Sequence, residues 1–144
     1  MNNDKTVGLT RTTGYQIGVR RTLPVARDRI WSYLLSPEGL KAWLGDLAKL
    51  ELEPGRAYRT GDGSVGEVRV VKPLEQLRLT WQPRGWERAS TVQIRLLAVD
   101  SGKTTVAFHQ EHLDGPLTRA RMKLRWEEAI DRMTNDADRA PNDE

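Results

Sequence analysis

Apolar residues recur along this chain with two different periods, and the switch between them orders its elements. Tyr15, Ile17 and Val19 alternate with Gln16, Gly18 and Arg20, the period-2 pattern of a half-buried strand. After Pro24 the spacing lengthens, and Ile30, Trp31, Leu34 and Leu35 share one side of a helix. Ser36-Pro37 starts a second short helix, because serine suits the N-cap and proline lacks the N–H that would go unsatisfied at the first helical position. Gly45 is placed to end it. Strand patterns then return over Leu47–Glu53, Ala57–Thr60, Val65–Val71, Gln76–Gln82, Ser90–Val99 and Thr104–Leu113, separated by turn-forming segments such as Glu53-Pro54-Gly55 and Asp100-Ser101-Gly102. A last helix is expected over Leu117–Met133, where Met122, Trp126, Ala129, Ile130 and Met133 form one apolar stripe.

Alternation assigns faces. Leu77, Leu79, Trp81, Val92, Ile94, Leu96, Val106 and Phe108 point one way, and Arg78, Thr80, Gln93, Arg95 and His109 the other. On the last strand the same parity carries Gln110 and His112 inward and Glu111 outward. The striped helix needs an apolar partner, and the inner face of the sheet is the one large enough. The expected fold class is therefore α+β, a curved antiparallel sheet around a long carboxy-terminal helix, with two short helices after the first strand.

Composition narrows the chemistry. A chain of 144 residues suits one domain, expected at 14–134 between disordered polar tails at 1–13 and 135–144. The second tail is acidic through Asp136, Asp138, Asp143 and Glu144, which leaves the remainder mildly basic. With no cysteine, disulfides, thiolate metal sites and cysteine nucleophiles are excluded. The start of the chain lacks the basic and apolar regions of a signal peptide, and no apolar run has the length of a membrane span. A cytoplasmic protein without a membrane partner is expected.

Most motif matches fail on context. Gly61-Asp62-Gly63-Ser64-Val65-Gly66 spells a dinucleotide fingerprint but opens a strand where the fingerprint must open a helix, so it reads as a hairpin turn. Gly102-Lys103-Thr104 lacks the earlier glycine of a phosphate loop, since that position is Leu97. His109 and His112 project to opposite sides of a strand and cannot share one ion. Neither a metal nor a cofactor is expected. Arg119, Arg121, Lys123 and Arg125 crowd the first half of the last helix, either as a solvated face or as an anion-facing patch. The aromatics are on the buried stripe and not interleaved with these charges, which argues against nucleic acid.

Trp31, Ser36-Pro37-Glu38-Gly39-Leu40 leading to Trp43, Leu79-Thr80-Trp81, Ser90-Thr91-Val92, Thr104-Thr105-Val106 and Trp126 together resemble the START-like (SRPBCC) superfamily. Within it the chain is similar to the domain related to the activator of heat-shock-protein-90 (Hsp90) ATPase. The resemblance covers residues 14 to 134 and implies the helix-grip fold, with a hydrophobic cavity between sheet and helix. Relatives include lipid and hormone carriers, polyketide cyclases and co-chaperone modules, so the fold leaves function open. The residues before Gly14 do not replace the separate amino-terminal domain of the co-chaperone, and activation of the chaperone ATPase is not expected.

The leading expectation is a non-catalytic module holding a small hydrophobic ligand. Trp81, Phe108, Met122 and Trp126 would be its walls, Gln110 and His112 its polar anchors, and Trp43, Tyr58, Leu79 and Ile94 further lining. No catalytic residue is assigned. A cyclase- or hydrolase-like enzyme would use His112 as acid or base in the same space. A protein-interaction module of the co-chaperone kind would present Trp86, from the polar loop after Trp81, together with Arg119, Arg121, Lys123 and Arg125.

Overall fold

A computed structural model describes residues 9, 10 and 14–139. The chain runs β1 (Leu9–Thr10), β2 (Gly14–Leu23), α1 (Arg27–Leu35), α2 (Pro37–Trp43), β3 (Ala57–Arg59), β4 (Val65–Lys72), β5 (Gln76–Trp81), β6 (Ser90–Asp100), β7 (Lys103–Leu113) and α3 (Pro116–Arg139). The strands form one antiparallel sheet in the order β1-β2-β7-β6-β5-β4-β3. Consecutive strands from β3 to β7 are neighbours, joined by short turns, and β2 closes against β7 from the other end of the sequence. The long helix α3 packs across β2 and β7 and is flanked by α1 and α2. This is the expected helix-grip arrangement.

Local chemistry explains the helix ends. Ser36 accepts from the Gly39 N–H at 3.0 Å, the N-cap bond expected of Ser36-Pro37. Ala26 caps α1 without a side-chain bond, and that helix begins at Arg27. The two short helices meet closely. A Cβ on Gly39 would lie 1.7 Å from the Tyr33 carbonyl oxygen, so only glycine fits there. Trp43 then reaches back, its indole N–H donating to the Leu34 carbonyl at 2.9 Å. That satisfies one of the carbonyls left without a partner at the end of α1.

The inward set is buried as expected: Leu77, Leu79, Trp81, Val92, Ile94, Leu96, Val106 and Phe108 on the sheet, and Trp126, Ala129, Ile130 and Met133 on α3. Three boundaries differ. Residues 47–53 form no strand; Leu50 is buried and Leu47 and Leu52 lie against the core, but the segment finds no neighbouring strand to pair with. The helix α3 runs past the expected end to Arg139, with Ala137 buried, so part of the acidic tail is helical. Leu9 and Thr10 pair with Tyr15 and Gly14 instead of belonging to a structureless tail. The rest of the two expected tails, 1–8, 11–13 and 140–144, lies outside the described residues.

The largest departure is at the end of β7. Tyr15 pairs with Leu113 and Ile17 with Gln110, so Gln16 alone faces both Glu111 and His112. The extra residue is a β-bulge, and His112 takes it up at φ 67°. A bulge inverts the parity of everything beyond it. Leu113 is buried where His112 was expected, and His112 is exposed.

Trp126→Ala is expected to lower stability by about 3–5 kcal/mol in chemical denaturation, the range for deleting a buried aromatic. A loss under about 1 kcal/mol would mean that α3 does not dock by this face. Gly39→Ala is expected to cost about 1–3 kcal/mol, as the added methyl forces α1 and α2 apart; an unchanged midpoint would contradict the close approach.

Candidate functional site

Between the sheet and α3 lies a cluster of aromatic rings. Phe108 and Trp126 stack at 5.0 Å with 18° between their planes. Trp43 meets Phe108 edge-on at 6.4 Å, and Trp81 lies 5.8 Å from Trp126. Trp86 extends the cluster outward, meeting Trp81 edge-on at 5.5 Å. Its loop is tied down by Gln82, whose amide donates to the Trp86 carbonyl at 2.7 Å. Trp86 is thus half-buried against the core.

A buried polar chain runs behind these rings. The Trp126 indole N–H donates to Gln110 Oε1 at 2.8 Å, Gln110 Nε2 donates to Ser90 Oγ at 2.9 Å, and the Ser90 hydroxyl donates to the Trp81 carbonyl at 2.8 Å. Gln110 and Ser90 are fully buried, and each bond satisfies a group that would otherwise be costly in an apolar core. Gln110→Met, which keeps the volume but removes the acceptor, is expected to destabilise the fold by about 1–3 kcal/mol by orphaning the Trp126 N–H. Denaturation checks this, and a neutral result would mean that the indole N–H has another acceptor.

Two donors are left without a partner. Trp81 Nε1 and Arg125 Nε are buried and bonded to nothing among the described residues. The Arg125 guanidinium lies over the Trp81 ring, 4.6 Å from its centre, and 5.4 Å from that of Trp126. Its Nη2 donates to the carbonyls of Trp43 at 3.0 Å and Leu44 at 3.5 Å, at the carboxy-terminal end of α2. Burial lowers its pKa, opposed by the fields of Asp62 and Glu128. Asp62 is occupied locally. It accepts from the Thr60 hydroxyl and the Ser64 N–H, and chiefly the first of these holds its carboxyl below the usual value.

The expected site residues divide accordingly. Trp43, Trp81, Phe108, Gln110 and Trp126 come together, Leu79 and Ile94 are buried on the same sheet face, and Met122 lies half-buried against the core. Tyr58 sits on β3 at the sheet edge, where it donates to the Thr80 carbonyl and lines an open cleft of about 480 Å³ with Gly66 and Glu67; burial raises its pKa beyond the usual range. His112 is not an inner anchor. It borders a small crevice of about 90 Å³ with Trp86 and Asp114. The outward histidine, His109, bonds Gln16 Oε1 at 2.9 Å.

The expected basic patch is also divided. Arg121 and Lys123 are exposed, whereas Arg119 donates from Nε to the Gln16 carbonyl at 2.7 Å and Arg125 enters the aromatic cluster. Ser90 is not among the expected site residues, and Arg125 is expected only on the basic patch and not in the aromatic cluster. The signal for Arg125 was present, because it is three residues after Met122 and four before Ala129, at the border of the apolar stripe; its charge concealed it. Among the described residues no group of three His, Asp or Glu side chains is arranged to hold a metal, and no helix is long and apolar enough to cross a membrane.

The sheet gripping α3 around an aromatic core defines a START-like protein of the helix-grip class. The chain belongs to the family described as Activator of Hsp90 ATPase homolog 1-like protein, whose sequence model matches residues 24–136. Among solved structures, DynU16, a protein encoded in the dynemicin biosynthetic locus, is similar at 23% identity and a TM-score of 0.70 over 83% of this chain. The match takes in 46% of DynU16, so this chain spans about half of that protein. MLL2253 from Mesorhizobium loti is 20% identical, with a TM-score of 0.68 over 88% of this chain and 98% of its own. PFC0360w, an HSP90 activator from Plasmodium falciparum, is 16% identical, with a TM-score of 0.69 over 82% and 92%. At these identities the likeness is one of fold. No curated protein matches the chain.

Proposed function

We propose that this chain is a non-catalytic binding module that holds a small, largely apolar ligand between the sheet and α3. One observation carries the reading. The aromatic cluster satisfies its buried polar atoms through Gln110 and Ser90, yet the Trp81 N–H, equally buried, has no acceptor among the described residues. A core built for stability alone pairs such a donor, whereas a ligand site presents it to a guest. The ligand would enter beside Trp86 and would lie against Trp81, Phe108, Met122 and Trp126. A cytoplasmic setting belongs to the same proposal.

The enzyme alternative loses the residue on which it was based, since His112 is outside the core. An interaction module of the Hsp90-activator type draws support from a different place. Leu117 and Leu124 are 64% and 67% exposed on α3, beside Arg121 and Lys123, and offer a basic, apolar contact strip. Trp86 and Arg125 are not part of that strip.

Tryptophan emission titrated with fatty acids, sterols and aromatic polyketides tests the first reading. A saturable quench or blue shift is expected with at least one class. Phe108→Ala should change that affinity by about 3- to 10-fold, on the scale of about 1 kcal/mol, and His112→Ala should leave it unchanged. If no class binds, the cluster is a closed core and the interaction strip becomes the leading reading.

A further inference from the structure

We infer that the ligand of this site carries an acid group, a carboxylate held by Arg125 and Trp81 at the Trp86 end of the aromatic cluster. The inference rests on the binding reading above and names the chemistry of its guest.

Arg125 is a cation set among indoles, and no carboxylate among the described residues forms an ion pair with it. Asp62, whose field reaches Arg125, is exposed with Oδ1 engaged by Thr60 and Ser64, and Glu128 is exposed on the next turn of α3. The faces of Trp81 and Trp126 and the carbonyls of Trp43 and Leu44 offset part of the cost of burying this charge. They leave Nε–H unbonded and supply no formal negative charge. A partly buried cation without an ion-pair partner carries a penalty that an incoming anion relieves.

Geometry selects the kind of anion. The guanidinium carbon is 4.6 Å from the centre of the Trp81 ring, so the two unpartnered N–H groups belong to side chains in direct contact. A carboxylate presents two acceptor oxygens, one for each donor, and hydrogen bonds to a charged acceptor are the stronger kind. A phosphate monoester would bring up to two charges to a single guanidinium and leave oxygens without donors. A divalent cation would be repelled by Arg125. The rest of the surroundings is Trp81, Trp86 and Trp126, which suits an apolar or flat aromatic body behind the acid group.

Calorimetric titration of the full chain at neutral pH with matched pairs tests this: decanoate against decanamide, and 1-naphthoate against 1-naphthamide. Each acid is expected to bind at least 10-fold more tightly than its amide. Arg125→Gln should bring the acid down to the level of the amide while leaving the amide within about twofold. Trp81→Phe keeps the ring and removes only the N–H, and should weaken the acid by about 3- to 10-fold, the scale of one hydrogen bond. Should Arg125→Gln fail to fold, the acid-to-amide ratio of the unaltered chain and the Trp81→Phe variant carry the test. Equal binding of acids and amides would overturn the inference and leave the binding module standing. Binding of neither would remove both.

Discussion

The indole of Trp126 is the contact on which the rest of the structure depends. It stacks on Phe108 from β7, lies against Trp81 from β5, and donates its N–H to Gln110. One side chain thus fixes the height, tilt and rotation of α3 over the sheet. Aromatic pairs add roughly 0.5–1.5 kcal/mol each beyond the area they bury, so these contacts matter beyond simple burial. The hydrogen bond adds direction. A ring alone could slide along an apolar face, whereas the N–H must meet the amide oxygen of Gln110, which Ser90 in turn orients.

The two ends of the cluster differ in a way that packing does not explain. Around Gln110 every buried polar atom has its partner. Around Arg125 the guanidinium Nε and the Trp81 indole nitrogen are buried without one, although Asp62 and Glu128 lie near enough for their fields to be felt. At this end Arg125 of α3 meets the end of α2, and the loop after β5 lays Trp86 against Trp81. Function on a shared scaffold is carried by connecting segments of this kind. The similar structures, at 23% identity or less, speak for the scaffold and leave the chemistry of this end to its own residues.

Periodicity made most of the fold legible. Two-residue alternation placed Leu77, Leu79, Trp81, Val92, Ile94, Val106 and Phe108 on the inner face, and the stripe through Trp126 gave the docking face of α3. Alternation failed where parity changes without a marker. The bulge at Glu111–His112 contains no glycine or proline, so nothing in its own sequence announces it. Arg125 was hidden for another reason. A charged residue at the edge of an apolar stripe reads as solvated, and only the flanking indoles and the carbonyls at the end of α2 make its burial feasible. Those carbonyls come from a segment more than eighty residues earlier, beyond the reach of any local pattern.

The indole N–H signals of nitrogen-15-labelled protein test the central claim most directly, because each reports the partner of one nitrogen. The account predicts that the Trp81 signal, lacking a protein acceptor, moves farthest on addition of decanoate, in the downfield direction of a new hydrogen bond, while the Gln110-bonded Trp126 signal stays near its place. A Trp81 signal that does not move when decanoate binds, or a larger shift at Trp31 outside the cluster, would contradict it.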